Sequence, residues 1–327
     1  MQKYECLIMT DNRNIACTCI GDLHSWLLHE GGGTVGKTLN AFDTTINIRT
    51  DKDELLVVTL GKLRSPANLN VTPVNANMGF KQLVGEGAKA RIQNENIGKQ
   101  PRATLLVGDA IILLTEHDTF RNHFNSLAPD AIQMFANNSH RIFSALESQA
   151  QANRLGCLLN PDMTTRGLFA GFMDQLISDY AILDQHEFDD RISKGLKQLC
   201  GKGPGFTPAG DDFIAGYLAT SNWLSDTMKL GDAVIPGNDF SVLTTWTSFK
   251  LIEYGARNLL DDQAQHMINC IAHNNIEAYI SALGLISKRG HTSGLDFATG
   301  MTIALFTAAD RVFKTSVLKS IVQVLDS

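Results

Sequence analysis

Two short glycine-rich segments hold the side chains whose types and spacing are best suited to chemistry. The first runs from Gly205 to Gly216 and the second from Gly290 to Gly300. With a one-residue gap, both read G-x-T-[P/S]-G-x-D-F-x-x-G, so each brings a hydroxyl, an aspartate and three glycines to the same spacing. Cations precede both segments, Lys202 before the first and Lys288 and Arg289 before the second. The chain therefore contains an internal repeat that combines donors, a carboxylate and local positive charge.

This spacing predicts two helix starts that bind an anion. Thr207 is the expected cap of the first helix, with Pro208 at its first position, and Thr292 is the expected cap of the second. Glycines ahead of a cap let the backbone turn sharply and leave its N–H groups open. Open N–H groups, the positive end of a helix dipole and a nearby cation together favour a negatively charged ligand. We expect both segments to converge on one small anion.

Residue type suggests the role of each member of such a pocket. Asp212 and Asp296 are expected one turn into the helices, where each could act as a base or orient a polar ligand, and His291 is the candidate histidine for acid or base chemistry. The predicted anion-binding set is Lys202, Gly203, Gly205, Thr207, Gly210, Asp211, Arg289, Gly290, Thr292, Ser293 and Gly294. The competing interpretation is that both segments are only tight helix junctions, because a capped helix with an acidic first turn needs no ligand.

The same segments resemble a known family. Gly201 to Gly216 resembles the G-x-G-x-G-[LF]-T-P-[SA]-G-D-D-[FL]-x-x-G motif of the AllH family, which includes a subunit of the oxamate carbamoyltransferase of anaerobic allantoin use. Gly290 to Asp296 is similar to the second motif of that family, G-x-[ST]-S-G-x-D, and Thr245 to Ser248 resembles its T-x-x-S element. The resemblance implies work on oxalurate, oxamate, carbamoyl phosphate and phosphate, in a hetero-oligomer with other carbamoyltransferase subunits.

Three functions follow from these observations. The first is an enzyme subunit that handles a small carbamoyl or carboxylate anion, and the second is a non-catalytic subunit that binds an anion or acts as a scaffold. The third is a nucleotide-binding phosphate loop, because Gly31 to Thr38 matches G-x-x-x-x-G-K-[ST]. Such a loop needs a strand before it and a helix after it, whereas Leu23 to Glu30 is predicted helical or irregular and the following residues lead to a strand. A flexible surface loop is therefore the preferred interpretation of this string.

The elements that must position the motifs fall into two parts. Up to about residue 115, strand patterns dominate, and Thr44 to Ile48, the turn Asp51 to Glu54 and the apolar run Leu55 to Leu60 predict a β-hairpin with a four-residue loop. Residues 71–74, 104–107 and 110–115 are predicted strands. Residues 75–101 are rich in Asn, Gly and Lys and are predicted to be mainly loop.

Helical periodicity dominates the remainder of the chain. Leu168, Phe172 and Leu176 recur every four residues, and the stretch after Pro129 has a similar apolar face. Further helices are predicted at about 188–199, 209–225, 243–260, 263–272, 275–287, 293–308 and 311–325. The predicted fold is α+β, with a small β-rich N-terminal domain (1–125) followed by a larger, mostly α-helical domain (126–327) that carries both glycine-rich motifs.

Amino-acid composition indicates a globular protein and argues against some classes of partner. The chain has 327 residues, of which 44% are hydrophobic and 19% charged, as in a globular protein. A net charge of −6 argues against nucleic acid or an anionic membrane as partner. We expect a cytoplasmic protein, since neither a continuous apolar run of membrane-spanning length nor a signal-peptide core is found and the six cysteines are too sparse for a disulfide framework. No cofactor is expected, and the histidine spacing predicts no metal site.

Overall fold

The computed structural model describes residues 14–73, 79–97, 100–114, 117–153, 159, 165–177, 185–229, 234–290 and 292–325. Contacts divide the chain into two compact units, Met1–Asn122 and His123–Ser327. Strands dominate the described part of the first unit, and helices make up the described elements of the second. The fold is therefore broadly α+β. No helix among these residues is both long and apolar enough to cross a membrane.

The first unit is built on one sheet that closes on itself. Its described strands are β1 (Asn14–Gly21), β2 (Gly33–Ala41), β3 (Thr45–Thr50), β4 (Leu55–Thr59), β5 (Asn68–Pro73), β6 (Lys89–Ile97), β7 (Gln100–Val107), β8 (Ala110–Leu113) and β9 (Asp118–Phe120). Their order is β5-β4-β3-β2-β6-β7-β8-β1-β9, and β1 also pairs with β5 in antiparallel fashion. This additional pairing closes the sheet, because it hydrogen-bonds the outer edge of β5 to β1. The edge of β5 is therefore not left unpaired. A 3-10 helix, Asp22–Leu28, and a short helix, α1 (Phe80–Leu83), complete the unit.

The predicted hairpin is confirmed. Strands β3 and β4 pair in antiparallel register, and four residues, Asp51 to Glu54, connect them. Ile46 and Ile48 on β3 are completely buried, as are Leu56 and Val58 on β4. The period-2 burial on facing strands provides the apolar contacts that hold the hairpin in the sheet.

The prediction that residues 75–101 are mainly loop is wrong. Strand β6 runs through this stretch and pairs with both β2 and β7. Ala90 and Ile92 point into the core while Lys89 and Arg91 are exposed. Over residues 89–94 the buried positions hold one small and one branched residue among polar ones, so the alternation in the sequence is too weak to predict a strand.

The string Gly31 to Thr38 is neither a phosphate loop nor a flexible surface loop. From Gly33 onward it belongs to β2, which pairs with β3 and β6. A Cβ atom at Gly36 would lie 2.4 Å from the Arg49 carbonyl oxygen, so the glycine is required by close strand pairing. The register also shifts between Thr34 and Gly36, which marks a β-bulge. Gly33 and Gly36 therefore belong to a paired strand, and the element that follows this strand is β3 and not a helix.

The second unit is helical, as predicted. Its described helices are α2 (Ala131–Asn137), α3 (Ser139–Asn153), α4 (Thr165–Ile177), α5 (Gln185–Leu199), α6 (Ala209–Met228), α7 (Asn238–Ser241), α8 (Trp246–Ala256), α9 (Asp262–Ala272), α10 (Ile276–Ile286), α11 (Ser293–Phe313) and α12 (Val317–Leu325). Helices α6 and α11 begin within the two glycine-rich motifs and are buried over most of their length.

The crossing of α6 and α11 depends on glycine. A Cβ atom at Gly216 would lie 2.0 Å from the Phe297 carbonyl oxygen, and one at Gly300 would lie 2.0 Å from the Phe213 carbonyl oxygen. Each helix therefore uses the last glycine of its motif to contact the backbone of the other. Glycine costs about 1 kcal/mol relative to alanine in a helix, and here the close approach requires it. The crossing brings the starts of the two helices together.

Candidate functional site

The first motif forms a loop that folds back on the helix it precedes. Gly201, Gly203 and Gly205 have φ values of 71°, 101° and 113°, which glycine adopts at little cost. A Cβ atom at Gly210 would lie 1.9 Å from the Leu199 carbonyl oxygen, and the Gly210 N–H donates to the Lys202 carbonyl oxygen at 2.9 Å. The loop thus packs directly on the first turn of α6.

The second motif repeats this arrangement. Gly290 has a φ of 63°, and the Gly294 N–H donates to the Arg289 carbonyl oxygen at 3.1 Å. A Cβ atom at Gly294 would lie 1.8 Å from the Ile286 carbonyl oxygen. The sequence repeat is therefore a structural repeat, in which a helix, a glycine-rich turn and a second helix recur.

The predicted cap is wrong for the first helix, whereas for the second helix its position is confirmed but its side-chain hydrogen bond is not found. Pro208, not Thr207, is the N-cap of α6, and Thr292 is the N-cap of α11 but its side chain accepts no capping hydrogen bond. The N–H groups of Gly210 and Gly294 bond to loop carbonyls, so these two amides are not open to a ligand. The Thr207 hydroxyl is directed to a partner that local sequence does not reveal.

Side chains of the two motifs meet in a small hydrogen-bonded cluster. The Thr207 hydroxyl donates to the Asp212 carboxylate at 3.0 Å and lies 2.9 Å from the Ser293 Oγ. The Ser293 side chain also hydrogen-bonds Asp212. We call Thr207, Asp212 and Ser293 the hydroxyl–carboxylate cluster. Thr207 and Ser293 are half-buried and Asp212 is 8% exposed, so Asp212 is the most deeply buried of the three.

Burial gives Asp212 unusual acid–base properties. Loss of solvent raises the pKa of its carboxyl from 3.8 to about 7, against the opposing effects of the hydrogen bond from Ser293, the positive charge of Arg289 and the hydrogen bond from Thr207. A group with a pKa near 7 exists in both protonation states at neutral pH. Asp212 can therefore both accept and release a proton there, as general acid–base catalysis requires.

Asp211, although adjacent, faces other partners. It accepts a hydrogen bond from the Gly201 N–H at 2.7 Å and another from the Thr244 hydroxyl. Ser248 and Cys200 also hydrogen-bond its carboxylate, and burial nevertheless raises its pKa. Asp211 therefore ties the first loop to the start of α8, and this structural role accounts for its burial without a ligand.

The T-x-x-S element is part of this support. Thr245 caps α8 by accepting from the Ser248 N–H at 3.2 Å, and its hydroxyl donates to the Ser248 hydroxyl at 3.1 Å. Sequence comparison indicated this element but not Thr244, whose hydroxyl makes the direct bond to Asp211. No sequence signal identifies that contact, because the two residues lie on different helix starts.

The two predicted anion clamps differ. Lys202 is exposed on the first loop. Arg289 forms a salt bridge with Asp261 and lies 4.9 Å from the centroid of the Phe297 ring. Asp261 itself caps α9 by accepting from two backbone N–H groups, at Gln263 and Ala264. Arg289 is thus held in place on the second motif, where its charge acts on Asp212.

The remaining candidates lie at different depths. Asp296 occupies the position in the second motif that Asp212 has in the first, but it is completely buried. Gly203 is half-buried, whereas Gly205 and Gly290 are exposed beside the helix starts. His291 lies outside the described residues. The structure therefore brings Thr207, Asp212 and Ser293 together, and buries Asp296 more deeply than any of them.

A separate cavity of about 40 Å³ lies near the other ends of the same two helices. Ser221 and Ser225 of α6, Thr307 and Arg311 of α11 and Phe188 of α5 contribute to its lining. A volume of this kind holds roughly three waters. Its lining begins at Ser221 of α6 and Ala304 of α11, which are more than about two helical turns beyond Asp212 and Ser293, so the cavity is not part of the candidate site.

The geometry coincides with a family match. Residues 199–305 match the family model described as oxamate carbamoyltransferase subunit AllH. The match spans both glycine-rich motifs and the T-x-x-S element, and it confirms the resemblance to the AllH family over this part of the 327-residue chain. No curated protein and no solved structure matches the chain.

Proposed function

We propose that this chain is an AllH-like subunit of an oxamate carbamoyltransferase and that it binds a small carbamoyl or carboxylate anion at the hydroxyl–carboxylate cluster. The observation that carries the proposal is the 2.9 Å contact between the hydroxyls of Thr207 and Ser293, since it unites the two motifs. The family match over the same residues names an oxamate carbamoyltransferase subunit, which supports the proposal. The proposed ligands are those that the family resemblance implies, namely oxalurate, oxamate, carbamoyl phosphate and phosphate. The other carbamoyltransferase subunits are the proposed protein partners.

The chemistry of the cluster suits such ligands. Each half-buried hydroxyl has one O–H donor, which can turn from Asp212 to a carboxylate, phosphate or carbamoyl oxygen. Helices α6 and α11 both direct the positive ends of their dipoles toward the motifs. Lys202 adds an exposed positive charge on the first loop. Carbamoyl transfer develops negative charge on the carbonyl oxygen, which hydrogen-bond donors in fixed positions stabilise.

A second candidate is a non-catalytic subunit that binds the anion or acts as a scaffold. The salt bridge between Arg289 and Asp261 favours it, because Asp261 already neutralises the positive charge of Arg289 without a ligand. The two candidates differ in turnover. If the chain is catalytic, Asp212→Asn lowers carbamoyltransferase activity. If the chain only binds the anion, the same substitution leaves that activity unchanged.

Calorimetric titration with oxamate and with phosphate tests the binding site. We expect the double variant Thr207→Val/Ser293→Ala to bind at least about tenfold more weakly, because hydrogen bonds to charged groups contribute about 1.5–3 kcal/mol each and about 1.4 kcal/mol corresponds to tenfold. Ser148→Ala is the matched control, since it removes an exposed helical hydroxyl that bonds only to the Ser144 carbonyl among its described contacts. Equal affinity in all three proteins would contradict the proposed site.

A further inference from the structure

We infer that Ser293 is a nucleophile that takes up the carbamoyl group, with Asp212 as its base. The inference rests on the proposed function, because it assumes that the cluster receives a carbamoyl compound. It goes further by assigning a covalent role to one hydroxyl. The geometry that points to this role is the position of the Thr207 hydroxyl, which lies 2.9 Å from Ser293 Oγ and 3.0 Å from Asp212 Oδ2 and so places the two side chains beside each other.

The arrangement contains the three parts that an activated hydroxyl needs. These parts are a nucleophile, a base beside it and a third group that orients the base. Ser293 Oγ and Asp212 Oδ2 lie side by side, because both contact the same Thr207 hydroxyl. Thr207 provides the third, since its hydroxyl donates to Asp212 Oδ2 at 3.0 Å. Asp212 is fixed in the first turn of α6 and nearly buried, while Ser293 is half-buried and closer to solvent. The pKa of about 7 supports this role, because the carboxylate can take the serine proton near neutral pH.

The approach to the Ser293 hydroxyl is kept open by glycine. A Cβ atom at Gly290 would lie 3.6 Å from the Ser293 Cβ and 3.7 Å from its Oγ, with no other such neighbour within 4 Å. A larger side chain at this position would therefore extend beside the proposed nucleophile. The φ of 63° at Gly290 is a second reason for glycine, but only the missing side chain leaves room next to the oxygen.

The position of Ser293 in its helix favours charge on its oxygen. It is the first residue of the 21-residue helix α11. The positive end of a helix dipole stabilises nearby negative charge by about 0.3–1 kcal/mol. This contribution is modest, so the main activation must come from Asp212.

The proposed reaction is balanced without a further reagent. In the first half, Ser293 Oγ forms a bond to the carbamoyl carbon of oxalurate, the bond from that carbon to the amide nitrogen breaks, and the serine proton passes through Asp212 to the nitrogen of departing oxamate. In the second half, an oxygen of hydrogen phosphate attacks the carbamoyl carbon and the bond to Oγ breaks. The phosphate proton passes through Asp212 to Oγ, which releases carbamoyl phosphate and restores the serine. Both halves are reversible.

The intermediate can be sought in the reverse direction. The full-length chain is incubated with carbamoyl phosphate, quenched in acid and analysed by peptide mass spectrometry. We expect one carbamoyl group on Ser293, and we expect labelled phosphate to exchange into carbamoyl phosphate without oxamate. Treatment with cyanate identifies residues that become carbamoylated without catalysis.

Three variants separate a nucleophile from a mere contact between helices. Ser293→Ala should lose the adduct and the exchange. Asp212→Asn should slow both at least about tenfold, since general base catalysis contributes about 10²–10⁴-fold. Thr207→Val is the matched control, because it removes the same contact between the motifs but leaves Ser293 and Asp212 in place. It should retain the adduct at a reduced rate.

Calorimetry on the same samples shows whether a negative result contradicts the covalent role of Ser293 alone or the proposed binding site as well. If wild-type protein binds phosphate or oxamate but forms no adduct, or if Ser293→Ala exchanges phosphate at the wild-type rate, Ser293 is not a nucleophile and the proposed binding site stands. If the wild-type chain binds none of the probes, both the proposed function and this inference fail.

Discussion

At the scale of single residues, two neighbouring aspartates have separate roles. The Asp211 carboxylate accepts hydrogen bonds from the first loop and from the start of α8, which fixes the loop. The Asp212 carboxylate faces the second motif and the two hydroxyls. One residue in a helix rotates the side-chain direction by about a quarter-turn or more, so adjacent positions can serve different neighbours. The pair therefore combines structural support with a titratable group in a single turn.

The raised pKa of Asp212 predicts a pH-dependent stability. Between its ordinary value of 3.8 and about 7, the folded state holds a proton that the unfolded state has lost. Stability therefore falls as pH rises through this window and levels off above it. We expect Asp212→Asn to remove this contribution, so the Tm of the variant relative to wild type should increase from pH 5 to pH 8.

Thermal unfolding followed by circular dichroism measures this difference. Asp226→Asn, at an exposed position of the same helix, is the control and should follow the wild-type curve in parallel. A constant difference between Asp212→Asn and wild type across the whole range would show that Asp212 titrates normally in the folded protein.

At the scale of secondary-structure elements, glycine determines how closely the central helices approach. Gly216 and Gly300 form the reciprocal contact between α6 and α11, and Gly255 of α8 lies against the backbone of Ala215. Such contacts let three helix backbones pack without side chains between them. The starts of α6 and α11 are consequently close enough for hydroxyls from the two motifs to meet.

Replacement of Gly300 by alanine tests this packing. The new Cβ atom would lie 2.0 Å from the Phe213 carbonyl oxygen, so the helices must separate. We expect a loss of about 3 kcal/mol or more in the free energy of unfolding, at the upper end of the usual range for overpacking. The Thr207–Ser293 contact should weaken with it, which ligand titration would detect.

Gly171→Ala provides the opposite expectation. Gly171 lies in α4 and a Cβ atom there would meet nothing within 4 Å. Alanine is the better helix former by about 1 kcal/mol, so this variant should be as stable as wild type or more stable. Urea denaturation gives the free energy of unfolding of both variants and of wild type. Equal stability of Gly300→Ala and wild type would refute the close-packing explanation.

Sequence patterns predict where the helices and strands lie more reliably than they predict which residues of different elements contact each other. Helices α6 and α11 were predicted at about 209–225 and 293–308, close to their observed bounds. The sequence does not predict strand β6, because among residues 89–94, whose burial is described, Ala90 and Ile92 are the buried ones. The partner of Thr207 was missed for a different reason. Its bond to Ser293 joins residues 86 positions apart, and local capping rules cannot predict a hydroxyl that is drawn away by a distant helix.

At the scale of the whole molecule, each compact unit has a hydrophobic core of its own. Ile46, Ile48 and Leu105 belong to the core of the first unit, and Phe213, Tyr217 and Phe306 to that of the second. The hydroxyl–carboxylate cluster and the residues that support it lie entirely in His123–Ser327. The interactions that position the proposed site are therefore contained in one unit.

This organisation predicts that a fragment spanning residues 123–327 folds without the first unit. Its buried aromatic and aliphatic side chains each contribute about 1.5–3 kcal/mol through burial, and the described contacts of the core lie within the fragment. We expect a helical circular dichroism spectrum, a single cooperative urea transition and retained binding of oxamate or phosphate. Thr207→Val/Ser293→Ala in the fragment should weaken binding by the same factor as in the full chain, because the cluster has the same surroundings in both. A fragment with helical signal but no cooperative transition would mean that the second unit needs the first to reach its packed state.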